Sequence, residues 1–152
     1  MKTRGFELVR EDMRKTNGDV QLPTRGTSKA MAYDFYANAN YTVRPNETAK
    51  IWTDVKAYMQ NNEVLMLYVR SSIGVKKGVV LANGTGIIDA SYYSNPDNDG
   101  RIGIALYNTS NETVTINAGE RVAQGIFMQY LTADDDNVLN KTRAGGFGSS
   151  GK

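Results

Sequence analysis

The feature that most limits the fold open to this chain is a recurrence of short apolar runs broken by turn residues, at 6–10, 32–37, 51–55, 64–69, 102–108, 113–116 and 122–130. Each run has the length of a strand, and the Gly, Pro, Asn, Asp and Ser clusters between them are turn chemistry. Alternation is clearest where Ile102, Ile104 and Leu106 fall on one face, with Val114 and Ile116 on another close by. No window carries the three-four spacing of a long amphipathic helix, although 54–61 suits a short helical turn. The pattern predicts an all-β antiparallel domain, built as a compact barrel or a jelly-roll-like double sheet.

A chain of 152 residues fits one domain of ordinary size. We place the β domain at 1–140 and a flexible, Gly-rich tail at 141–152. The run Asp134-Asp135-Asp136 marks the change, as a solvated acidic linker or a metal cluster. The net charge of +2 gives no general pull toward nucleic acid, so an anion site has to be local. No apolar run reaches the length of a membrane span, and the start Met1-Lys2-Thr3-Arg4-Gly5 lacks the apolar centre of a secretory signal. The expectation is a cytoplasmic protein.

Two absences narrow the chemistry further, for the chain has neither cysteine nor histidine. Disulfides, thiolate nucleophiles, Ser-His-Asp triads and zinc sites built on Cys or His are all excluded. A general base has to be sought among the carboxylates, and a metal would be a hard ion such as Mg²⁺ held by oxygen ligands and by the substrate itself.

Several positions are candidates. Asp89 ends the apolar stretch Gly86-Ile87-Ile88, where a carboxylate is either a partly desolvated base for activating water or a cap on a turn. Asn83-Gly84-Thr85-Gly86 before it is a tight-hairpin signal with backbone amides free to read the edge of a small ring. Arg70-Ser71-Ser72-Ile73-Gly74 reads as a loop pairing a permanent cation with two hydroxyls, a set that suits phosphate oxygens. Gln124 shares a period-two face with Val122, Ile126 and Met128, so its amide needs either a backbone partner or a ligand. Asp34 interrupts an aromatic strand and raises the same question, with a buried salt bridge to an arginine as one answer. The stretch 93–101 reads as an exposed loop without core-building side chains. In the tail, Arg143 and Phe147 stand among Gly and Ser, a composition that suits either a solvated tail or a lid closing over a phosphorylated ligand with an aromatic base.

Taken in order, these pieces resemble the five motifs of the homotrimeric dUTP pyrophosphatase (dUTPase) family. The first is Leu22-Pro23-Thr24-Arg25 with Ala32-Tyr33-Asp34-Phe35, and the second runs from Arg70-Ser71-Ser72 to Gly78. The third is Asn83-Gly84-Thr85-Gly86-Ile87-Ile88-Asp89-Ala90-Ser91-Tyr92, the fourth Gly119-Glu120-Arg121-Val122-Ala123-Gln124, and the fifth the tail. The resemblance implies a bacterial or phage enzyme that splits dUTP into dUMP and pyrophosphate, with Asp89 activating the water. It implies that Asn83, Gly86, Ile87, Ile88 and Gly103 surround the uracil and that Tyr92 packs on the deoxyribose and rejects a 2′-hydroxyl. Arg70, Ser71, Ser72 and Gln124 would hold phosphates, Asp34 would reach the hydration shell of Mg²⁺, Phe147 would stack on the base and Arg143 would meet the terminal phosphate. Sites shared between the subunits of a homotrimer are implied as well. Two other readings accompany it: a regulatory or binding protein using the 94–101 loop as partner surface, and a dCTP deaminase on the related fold.

Overall fold

The computed structural model describes residues 1–136 and builds them almost entirely from antiparallel strands. In chain order these are β1 (Gly5–Leu8), β2 (Tyr33–Tyr36), β3 (Tyr41–Val43), β4 (Thr48–Trp52), β5 (Val55–Tyr58) and β6 (Glu63–Tyr68). There follow the short helix α1 (Ser71–Lys77), then β7 (Val79–Leu81), β8 (Gly86–Asp89), β9 (Gly103–Asn108), β10 (Val114–Ile116) and β11 (Arg121–Gln129). A four-stranded sheet ordered β2-β11-β6-β8 and a three-stranded sheet ordered β4-β9-β7 are accompanied by the two-stranded pairs β1-β5 and β3-β10. This is the expected jelly-roll-like arrangement.

Period-two alternation drives the packing. Leu65 and Leu67 point inward from β6 while Ile104 and Leu106 point inward from β9, and Phe35, Ile51, Ile102, Ile116 and Val122 complete the core without measurable exposure. At Gly125 the sheet and the core meet so closely that a Cβ would lie 2.9 Å from Phe35 and 3.0 Å from Leu67. Only a residue without a side chain fits there.

Four expectations are corrected. Residues 54–61 are not a helical turn: Val55 and Ala57 alternate into the core and β5 pairs with β1. The segment after Arg70 is a helix, closed by Gly78 at φ 68°, a left-handed cap that glycine adopts without strain. The Asn83–Gly86 turn does not join a hairpin, because β7 pairs with β9 while β8 pairs with β6, so it carries the chain from one sheet to the other. Finally, 93–101 is solvated only in part: Ser94, Pro96 and Asp97 are exposed, whereas Asn95 is buried within the segment and Asp99 and Arg101 are buried with polar contacts to neighbouring segments.

Candidate active site

One end of the four-stranded sheet gathers cations and amides. In register, Gln124 of β11 lies between Asp34 of β2 and Tyr68 of β6, and Arg70 follows two residues after Tyr68. Arg70 Nε donates to Asp34 Oδ1 at 3.1 Å and its Nη1 to Ser72 Oγ at 3.2 Å. Arg121 Nη1 approaches Asp34 Oδ2 at 3.5 Å. Asp34, almost buried, therefore aligns two guanidinium groups. The salt-bridge reading of Asp34 is the one observed. Gln124 Nε2 donates to the Val69 carbonyl at 3.2 Å, so its amide has a backbone partner and braces the residue before Arg70.

The period-two grouping of Gln124 with Val122 needs correction. A bulge between Arg121 and Ala123 shifts the phase, so both Val122 and Ala123 are buried and Gly125 and Phe127 take the inward positions afterwards. Gln124 stands on the opposite face. Arg70 and Ser72 share a groove of about 480 Å³ with Tyr36, Lys77 and Arg121. Ser71 heads α1 and is exposed.

Asp89 lies at the other end of the sheet. It is paired with Val64, whereas Gly86 is paired with Leu67, so β8 runs away from Arg70. Val64, opposite Asp89, stands six positions before Arg70 along β6 and its extension, about 20 Å at strand rise. Ile88 packs inward against the core while Ile87 is 60% exposed, and Asp89 is exposed with it. The expected partial desolvation of Asp89 is not met within one chain, because β8 is the outer strand of its sheet. Asn83 and Gly84 are exposed in the turn, where Gly84 takes φ 75° and its N–H meets the Leu81 carbonyl at 3.0 Å.

A short 3₁₀ turn over Ala90–Tyr92 follows Asp89 directly. The Tyr92 ring is buried, and its hydroxyl donates to the Arg101 carbonyl at 2.6 Å and accepts from Asn98 Nδ2 at 3.0 Å. Gly103 opens β9 immediately beyond, opposite Trp52. Among the described residues no three acidic side chains converge on a common point.

The dUTPase family profile matches residues 18–151. The deoxyuridine 5′-triphosphate nucleotidohydrolase of Lactococcus lactis subsp. lactis is 46% identical over 152 residues, covering 99% of both chains. The chain belongs to the dUTPase family.

The crystal structure of a dUTPase from Streptococcus mutans agrees, with a TM-score of 0.76 and 44% identity over 86% of this chain and 98% of that one. A dUTPase from phage phi11 of Staphylococcus aureus, described with a structural Mg(II) ion, shares the fold at a TM-score of 0.71 and 24% identity, over 90% and 97% of the two chains. Within this dUTPase chain, Arg70, Ser72, Gln124 and Asp34 come together, while Asp89 and Tyr92 form a separate group. Arg143 and Phe147 lie outside the described residues. Arg121, Tyr36 and Lys77 were not singled out from the sequence; the sheet register places Arg121 opposite Tyr36 at the groove, and Lys77 reaches it from the last position of α1.

Proposed function

We propose that this enzyme hydrolyses dUTP to dUMP and pyrophosphate, with the base-and-water half of each site supplied by one chain and the phosphate half by a neighbour in a homotrimer. The observation carrying this reading is the placement of Asp89 and Arg70 at opposite ends of one sheet. A nucleoside triphosphate could not reach both within a single copy, whereas a second copy lying along β8 would cover Asp89 and Ile87 and bring its own arginine end to the phosphates.

In this reading the Asp89 carboxylate accepts a proton from water as the water attacks the α-phosphorus, and pyrophosphate departs with the electron pair of the broken P–O bond. Arg70 and Ser72, with Ser71 and Gln124 beside them, hold the phosphate oxygens in line. Arg70 comes to this task already oriented by Asp34. The backbone around Asn83, Gly86, Ile87, Ile88 and Gly103 frames the uracil, and Tyr92 forms the wall against the sugar. Phe147 and Arg143 would close over base and terminal phosphate.

The acidic residues present suit an ion that arrives on the triphosphate better than one resident in the protein. Mg²⁺ bound in that way neutralises phosphate charge. Asp34 is engaged first by its arginines, and any reach toward the hydration shell of the ion is secondary to that. Release of nucleoside monophosphate from a panel of dUTP, UTP, dTTP and dCTP, with and without Mg²⁺, tests the proposal. Selective, Mg²⁺-dependent dUMP formation is expected; ammonia release from dCTP, or binding without turnover, would overturn it.

A further inference from the structure

We propose that Asn98 is a positioning residue for sugar discrimination, fixing through the Tyr92 hydroxyl the wall that separates deoxyribose from ribose nucleotides. The inference rests on the reading of Tyr92 as that wall. A phenol has one proton to give and can accept in return, and here both capacities are used by a single segment: donation to the Arg101 carbonyl, acceptance from Asn98 Nδ2. The Asn98 amide is itself set. Its Oδ1 accepts from Gly100 N–H at 2.9 Å and from Asn95 Nδ2 at 3.0 Å, which leaves Nδ2 as the atom facing Tyr92.

The segment that holds Tyr92 is in turn anchored to the body of the protein. Asp99 Oδ2 accepts from Lys56 Nζ at 2.9 Å and from Arg10 N–H at 2.8 Å. The Arg101 guanidinium donates to the Met13 carbonyl and lies 4.9 Å from the centre of the Trp52 ring. Gly100, at φ 80°, lets the backbone close on itself, for a Cβ there would stand 2.7 Å from the Tyr92 carbonyl. The chain thus leaves Tyr92, is pinned to β5 and the N-terminal segment, and returns to grip the same ring by its hydroxyl. An aromatic wall rejects one extra oxygen only if it cannot yield, and this clasp removes the freedom to yield.

The test compares kcat/KM for dUTP and UTP in Asn98→Ala, Tyr92→Phe, their double variant and Tyr92→Ala, each checked for assembly by light scattering. Asn98→Ala and Tyr92→Phe should each narrow the dUTP-to-UTP ratio by about threefold to tenfold, the scale of one hydrogen bond, and in Asn98→Ala kcat on dUTP should stay nearly unchanged. The double variant should be no worse than Tyr92→Phe, because loss of the hydroxyl already breaks the Asn98 link. Tyr92→Phe removes the Asn98 link together with the bond to the Arg101 carbonyl and leaves residues 93–101 unaltered, so an unchanged ratio in it overturns the positioning role even where Asn98→Ala does not fold. A changed ratio in Tyr92→Ala with no change in Asn98→Ala or Tyr92→Phe would overturn the positioning role and leave the wall standing. An unchanged ratio in Tyr92→Ala would overturn both.

Discussion

A carboxylate loses its ability to take a proton, and little of its shape, when one oxygen becomes an amide nitrogen. Asp89→Asn should therefore keep KM for dUTP within a few-fold while kcat falls by about 10²–10⁴, read by pyrophosphate release. Near-normal turnover would make Asp89 a structural residue. Gly125 poses the opposite case, where chemistry is irrelevant and space decides. Gly125→Ala pushes a methyl against Phe35, Leu65 and Leu67, all within 3.1 Å of the new atom. A loss of about 1–3 kcal/mol in denaturant unfolding is expected. Asp89 was legible as a candidate because it closes an apolar run; the constraint at Gly125 was not, because it arises only where three strands converge.

Among the elements, the segment 93–101 has a charge-dependent anchorage at both ends of the pH scale. Burial pushes the Asp99 carboxyl up, but the Arg10 N–H and the hydrogen bond and charge of Lys56 outweigh it and leave the pKa below its ordinary value. The stability it contributes is present above the unfolded value of 3.8 and lost as pH falls through the lower folded one. Tyr93 behaves inversely: the hydrogen bond to Glu7, then burial, push its phenol from 10.0 up to about 12, so its contribution is complete below the lower figure and lost as pH rises toward the higher. The melting temperature should be level through neutral pH and fall below about pH 4 and above about pH 10, measured by circular dichroism. Asp99→Ala should cost about 3 kcal/mol or more by leaving Lys56 buried without its partner. Composition presented this segment as a solvated loop, since turn formers look alike whether water or protein satisfies them. The β class and the inward faces of β6 and β9 were readable from alternation, whereas α1 is too short to show a period and the β11 bulge reverses the very alternation by which Gln124 was placed.

At the scale of the assembly, the separation of Asp89 from Arg70 gives the proposed shared site a direct test. Asp89→Asn and Arg70→Ala trimers should each be nearly inactive. Chains of the two kinds refolded together should regain activity, because some sites then combine an intact Asp89 from one with an intact Arg70 from the other. Absence of recovery in mixed trimers verified by mass would place both residues in one subunit's site. The same geometry bears on inheritance. Under the proposed shared site, where a damaged copy is made alongside a sound one, a chain lacking both residues would spoil two sites of any trimer it enters, one through its missing Asp89 and the next through its missing Arg70. A lesion in such a protein is dominant in proportion to how many of its halves it breaks.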